Sequence, residues 1–421
     1  MNRFTRAIVK TIAALALSLH AAFGAASEEP ASLDRITVED GTFVKQTAGE
    51  RFVPKGFNYI RLNGWHGAFR PGGYEPERAE AMLADISERG FNIVRVFINH
   101  NPGYVVAGAD AAELHEPYMV NVLDFLERAT AHGVYVIFSL QYVPDTPVFN
   151  PLRGETTPKI APVHRRFLHE QGIAANAEYY GAFAGWIAEH APRLLPTVFA
   201  YELGNEMHFR ATAEPFSLTE GEFTGVTGER YDLASDEEKQ QLADDHTVAF
   251  AGAAVEAVRE ADSEAMVSVN VFTFAAVGRS GPAALSEDST DDARFPVRPL
   301  ALTRSKLDYL DIHLYSLTES GLERDLASIE GGEVLGQAKE RGMPIILGEF
   351  GVFKHEADDP GEAAERVEPH LRRVLDLGFQ GYLYWTYDTD EQDYLWNARS
   401  GDGEILDMLT EFNREYIDAG R

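Results

Sequence analysis

The chain has 421 residues, 37 Lys+Arg against 67 Asp+Glu, a formal net charge of -30 and no cysteine. A hydrophobic fraction of 45% can build a large core, which excludes wholesale disorder, and the excess of acid argues against a nucleic-acid partner or an anionic membrane surface. Without cysteine there are no disulfides, thiolate zinc sites, iron–sulfur clusters or cysteine nucleophiles.

Residues 1–26 have a basic start (Arg3, Arg6, Lys10), a mostly apolar run from Ile12 to Ala22 and then small residues. This is the pattern of a signal peptide, with Ala22-Phe23-Gly24 or Gly24-Ala25-Ala26 as the cleavage site. The apolar run is shorter than the ~20 residues of a membrane span, and the alternative is an N-terminal anchor that stays attached. A lipoprotein anchor would need a cysteine. Loss of three cations and no anion takes the formal charge from -30 to -33. The expectation is an exported protein, periplasmic or extracellular, with 27–421 as its mature body.

After the leader, residues 36–56 read as a short hairpin with turn signals at Asp40-Gly41 and Ala48-Gly49. Eight apolar, β-rich runs then follow at 52–62, 91–98, 134–142, 197–206, 265–274, 307–316, 343–352 and 379–388. They are near-continuously apolar, as parallel strands covered on both faces are. Helical spacing occupies the intervals, at 76–89, 116–132, 175–194, 236–260, 322–341 and 361–377, and closes the chain at 405–417. Four helices run into a glycine before the next strand: Gly90, Gly133, Gly342 and Gly378. Eight strands with crossover helices predict an α/β fold, a single-domain (β/α)8 TIM barrel with enlarged βα loops at 207–235 and 275–304. The competing doubly wound sheet lacks a glycine-rich phosphate turn after its first strand.

In such a barrel, polar groups at the strand C-termini build the active site. Run four ends Tyr201-Glu202-Leu203-Gly204-Asn205-Glu206, and run seven ends Leu347-Gly348-Glu349-Phe350-Gly351. Two glutamates on nearly opposite strands are the minimum set for retaining glycoside hydrolysis, with carboxyl groups ~5 Å apart. Either one alone could be a solvated strand end. Arg95 lies inside run two, where burial requires a carboxylate partner; Glu349 is the natural candidate. Asn205 can hydrogen-bond a sugar hydroxyl. His313 and Tyr315, two apart, face one side of run six and can serve the acid/base and the nucleophile respectively. Trp385 in run eight offers a flat face for a sugar ring. Asn58, Asn63, Trp65 and His66 could line a distal sugar subsite or be ordinary loop residues. Asp388, Asp390, Glu391 and Asp393 have spacing that could hold calcium but lack the EF-hand ligand pattern, so a solvated acidic loop is the plainer reading. No Gly-x-Ser-x-Gly elbow and no His-Glu-x-x-His run occur.

These residues, in this strand order, resemble glycoside hydrolase family 5 of clan A over about Phe52 to Tyr416. The resemblance implies Glu206 as acid/base, Glu349 as nucleophile, and Arg95, Asn205, His313, Tyr315 and Trp385 as the supporting set. The runs VFAYELGNE and DIHLYS are most similar to the β-mannanase-type branch. One position departs from the pattern: many members have a histidine at the end of strand three, where this chain has Ser139-Leu140-Gln141-Tyr142. Gln141 can hydrogen-bond a hydroxyl but cannot carry charge.

The expected function is a secreted, monomeric retaining glycoside hydrolase needing no cofactor or metal. Its carbohydrate substrate would be a β-linked neutral polysaccharide or oligosaccharide of the β-mannan or β-glucan type. The alternatives are a non-catalytic carbohydrate-binding barrel and a metal-dependent barrel hydrolase.

Overall fold

The computed structural model describes residues 32–62, 67–286, 291–315, 319–330 and 333–420. The leader at 1–26 and the loop residues Asn63, Trp65 and His66 lie outside the described residues. Leu33–Arg421 forms one compact unit.

All eight apolar runs form strands: β1 Lys55–Tyr59, β2 Ile93–Phe97, β3 Tyr135–Ser139, β4 Val198–Glu202, β5 Val267–Ser268 and Asn270–Phe272, β6 Leu310–His313, β7 Ile345–Phe350 and β8 Tyr382–Tyr384. Every pair between them is parallel. β5 closes the barrel. Its first half pairs with β4 (Val267↔Tyr201) and its second with β6 (Asn270↔Asp311), so the two ends of the sheet are halves of one run.

Among the crossover helices are α1 Pro76–Glu88, α2 Glu116–Ala131, α3 Glu170–His190 and α4 Asp236–Ala261. α3 starts five residues before the apolar spacing suggests and stops at His190, where Pro192 opens a 3-10 turn. The pattern at 322–341 is two helices, Glu319–Glu330 and Val334–Glu340; the sequence between them reads Gly331-Gly332, which favours helix poorly. The four glycines flagged as helix stops are left-handed, with φ from 63° to 107°. No helix among the described residues is long and apolar enough to cross a membrane.

The hairpin forms as expected, Ile36–Glu39 against Thr42–Lys45, around a two-residue turn in which Asp40 (φ 49°) and Gly41 (φ 74°) are both left-handed. Its purpose is tertiary. Phe43 packs on Phe199 and Tyr309, with ring centroids 5.2 and 5.6 Å away, and Phe52 stands edge-on to Tyr135. With Ile93, Ile137, Ile346 and Leu383 they fill the N-terminal end of the barrel with apolar side chains. A larger apolar layer lies between the strands and the helices.

The two enlarged loops join each other. His208–Arg210, after β4, pairs antiparallel with Arg294–Pro296, after β5, placing Arg294 beside the mouth of the barrel.

Because Phe43 is fully buried in the plug, Phe43→Ala is expected to cost about 3–5 kcal/mol of stability. Chemical denaturation measures this. A loss under about 1 kcal/mol would mean the plug can be dispensed with.

Candidate active site

Above the apolar plug the barrel interior turns polar. Asn58, Arg95, Ser139, Glu202, Asn270 and Asp311 are all fully buried. Arg95 organises them. Its Nε donates to Glu202; one Nη donates to Asn58 Oδ1 (3.0 Å) and to Glu349; the other donates to Asn205 Oδ1 (2.7 Å) and Ser139 Oγ (3.3 Å). All five N–H donors of the guanidinium have acceptors, drawn from β1, β3, β4, the turn after β4, and β7. Glu349 is the partner expected from the sequence. Glu202 is a second one, fully buried on β4.

Two local features aim the carboxylates. Along β6 and β7, Asp311 pairs with Ile346 but His313 pairs with Glu349, so β7 has one extra residue and bulges at Leu347-Gly348. Without the bulge Ile346 and Glu349, three apart, would face opposite sides of the strand. With it, Ile346 joins the apolar plug and Glu349 enters the mouth. Glu206 has φ 48°, a conformation costly for a residue with a side chain. Its N–H is held by Asn270 Oδ1, while Asn270 Nδ2 donates to Glu202 Oε2 at 3.1 Å.

The two glutamates meet at His313. Its Nδ1 lies 3.4 Å from Glu206 Oε1 and 3.4 Å from Glu349 Oε2. One oxygen of each glutamate and a ring nitrogen of His313 fall within 4.8 Å of one another. The Tyr315 hydroxyl donates to Glu349 Oε2 at 2.8 Å, and Arg294 Nη1 stands 3.4 Å from Glu206 Oε2. Arg294 is itself fixed by Asp292 (2.8 Å) and lies over Phe272.

Burial works against an imidazolium at His313, but Glu349, Glu206 and Asp311 outweigh it and raise His313 above the ordinary histidine value. Burial also lifts Glu349, and the charge of Glu206 adds to it; His313, Arg95 and Tyr315 pull back without cancelling the rise. Glu206 is raised by burial too, yet His313, Arg294 and His208 bring it below the usual carboxylate range. Taken singly, these directions are opposite to an ionised Glu349 beside a protonated Glu206. Both carboxylates stand on the one imidazole, so the hydrogen-bond donors around each decide where negative charge is better held. The donors do bear on the roles: Glu349 accepts from Arg95 and Tyr315, whereas Glu206 has only contacts at 3.4 Å.

Such a convergence of two carboxylates and a histidine could also suggest a metal site. Here both Glu349 oxygens already accept from Arg95 and Tyr315, and Glu206 stands beside Arg294, so cationic and hydroxyl donors already surround the two carboxylates. At the acidic cluster after β8, Asp388 forms salt bridges with Arg61 (2.8 Å) and Arg78 (2.9 Å), and Asn397 donates to Asp390, so arginine rather than calcium meets the charge of Asp388.

The sequence-derived residues gather at one cleft of about 730 Å³ whose lining includes Glu206, Glu349, Asn205, His313, Tyr315, Trp385 and Gln141. Asn205 uses its Oδ1 on Arg95, so its NH2 is the end left to face a ligand. Trp385 is anchored by its indole N–H to Gln392 Oε1 at 2.5 Å and stands edge-on to Phe97. Gln141 lies on the wall, its backbone oxygen accepting from Arg166. Asn58 belongs to no distal subsite; it is buried beneath the mouth, donating to Gly348 O. Trp65 lies outside the described residues. Glu202, Asn270 and Asp311 escaped the sequence reading, although a charge within an apolar strand, the signal that exposed Arg95, also marks Glu202 and Asp311. Arg294 and His208 gave no signal, because only loop pairing brings them to the site.

Removing Arg95 would strand two buried carboxylates. Arg95→Met is expected to cost about 3–5 kcal/mol, read by denaturant unfolding, and a neutral result would mean that Glu202 and Glu349 find other donors.

Comparisons place this chain among known proteins. A sequence model described as Cellulase (glycosyl hydrolase family 5) matches residues 47–390. No curated protein matches the chain. Among solved structures, an endo-1,4-β-mannanase from Rhizomucor miehei superposes with a TM-score of 0.59 at 13% identity, covering 90% of this chain and 100% of that one. An exo-β-1,4-mannosidase from Opitutaceae bacterium strain TAV5 gives 0.58 at 18%, covering 91% and 62%. Endo-glycoceramidase II from Rhodococcus sp. gives 0.55 at 19%, covering 90% and 80%. At these identities the structures speak for the fold, a (β/α)8 barrel, and the family rests on the sequence match. The chain belongs to glycosyl hydrolase family 5 and is a retaining glycoside hydrolase.

Proposed function

We propose that Glu349 is the nucleophile and Glu206 the acid/base of a double displacement on a β-linked neutral glycan. The observation that carries this reading is the approach of Glu206, Glu349 and His313 within 4.8 Å. So close an approach suits retention, which needs carboxyl groups ~5–5.5 Å apart, better than inversion, which needs ~6.5–9.5 Å to admit a water. Arg95 and Tyr315 hold both oxygens of Glu349, orienting it for attack on the anomeric carbon and favouring negative charge there. Glu206, with the longer contacts, is the better place for the proton that the pair retains. It gives this proton to the leaving oxygen and takes one from water in the second step. Arg294 is neutralised by Asp292 and Glu206, which suits a neutral sugar beside it and is in keeping with a chain charge of -30. The likeness of its strand-four and strand-six runs to the β-mannanase branch favours a β-mannan, with β-glucan next. A basic-then-apolar stretch at 1–26 supports export with cleavage of the leader; N-terminal sequencing of protein from the medium or periplasm tests it.

Glu349→Ala and Glu206→Ala are each expected to lower kcat by several orders of magnitude in protein that circular dichroism shows to be folded. Full activity in purified Glu349→Ala would overturn the assignment. Product sizing on mannan, cellulose and mixed-linkage glucan identifies the substrate.

The rate should be bell-shaped in pH, falling on the acid side as Glu349 is protonated and on the alkaline side as Glu206 loses its proton. Arg294 lowers the value for Glu206. Its removal should raise that value, so Arg294→Ala should move the alkaline limb to higher pH. A shift to lower pH would contradict the assignment.

A further inference from the structure

One buried acid takes no part in this mechanism. Asp311 lies on β6 beneath His313 and is fully buried. Its Oδ1 accepts the Gly348 N–H at 2.8 Å, at the bulge of β7, where glycine is required because a Cβ would stand 2.0 Å from either carboxylate oxygen of Asp311. Its Oδ2 is buried and has no partner among the described residues. Glu202 on β4 is in the same position. Oε2 accepts from Arg95 and from Asn270, and Oε1 is buried without a partner. Asn270 of β5 links the two, pairing with Asp311 in register and donating its side-chain N–H to Glu202 Oε2 at 3.1 Å, so both carboxyl groups sit in the barrel interior on either side of it. Two ionised carboxylates facing one another inside a barrel would leave two unsatisfied oxygens and a like-charge repulsion; one proton between them removes both costs.

We propose that Asp311 carries a proton on Oδ2 and donates it to Glu202 Oε1, and that this buried acid pair is a positioning device which leaves Arg95 available to Glu349. Glu202 is the acceptor because its other oxygen already takes the Arg95 and Asn270 N–H groups. The groups around Asp311 are Glu202 on β4, Arg95 on β2, Tyr309 and His313 on its own strand, Glu349 next to Gly348 on β7, and the uncharged Asn270 on β5. Burial and the charge of Glu202 push Asp311 well above the carboxylate range, against the pull of His313 and Arg95. With Asp311 neutral, the guanidinium balances two carboxylates, not three. With Oε1 of Glu202 satisfied by Asp311, Glu202 draws less on Arg95. The role toward Glu349 rests on the assignment of Glu349 as nucleophile; the shared proton does not.

Infrared spectroscopy and kinetics on the whole protein test this. In a Glu206→Gln background, which removes the acid/base proton, a protonated-carboxyl C=O band should be present near neutral pH and be lost when Asp311→Asn is added. Asp311→Ala removes the donor to Glu202, so Glu202 competes harder for Arg95, the Glu349 value rises and the acid limb moves up in pH, by ~1 unit for a change of this kind. Asp311→Asn, whose amide can donate to the same oxygen, should bring the limb back. A band retained in Asp311→Asn, or an acid limb moved to lower pH by both variants, would show an ionised Asp311 and overturn the proposal. A lost band with an unmoved limb in Asp311→Ala would overturn the positioning role. If Asp311→Ala does not fold, the band and the limb of Asp311→Asn still decide. Full activity in Glu349→Ala would instead strike the nucleophile assignment and leave the Asp311 band in place.

Discussion

A single buried cation sets the terms for this barrel. Arg95 has no solvent, so each of its five N–H groups must find an acceptor, and its charge must be met by carboxylates. The acceptors come from β1, β3, β4, the turn after β4, and β7. One guanidinium thereby ties together chain segments more than 250 residues apart. Because Glu349 and Asn205 are among these acceptors, the interaction that makes the interior affordable also fixes two of the groups that face the substrate.

A regular barrel would not deliver this arrangement. Strand pleating alternates side chains, and β7 needs both Ile346 in the plug and Glu349 in the mouth. The bulge at Gly348 solves that conflict and opens the space in which Asp311 sits. Glu206 lies past the end of β4 in a left-handed conformation, held by the Asn270 side chain from the neighbouring strand. Two backbone irregularities thus serve the chemistry, while the apolar end of the barrel is closed by Phe43 and Phe52. The apolar plug and the polar catalytic layer occupy opposite ends of one cylinder.

Much of this could be read along the chain. The eight apolar runs are the eight strands, and the glycines placed after four helices are their left-handed stops. The hairpin turn at Asp40-Gly41 is where the dipeptide puts it. Arg95, Glu206, Glu349, His313 and Tyr315 stood out because polar groups in apolar strand runs need partners, and the fold makes them partners of one another. Glu202 and Asp311 carried the same mark but lay one layer deeper, and their role is visible only once β4 and β6 are set on either side of β5.

What the sequence determined by itself was periodicity and type: which segments are strands, which end holds carboxylates, and that an arginine is buried among them. These follow from local rules, since the pleat and the helix turn repeat within a few residues. The tertiary structure decided everything that depends on register and loop path. The bulge that turns Glu349 inward, the pairing of the 208–210 and 294–296 strands that brings Arg294 to Glu206, and the facing of Asp311 and Glu202 each depend on distant segments meeting, and no local spacing encodes a meeting of residues 88 or 109 positions apart.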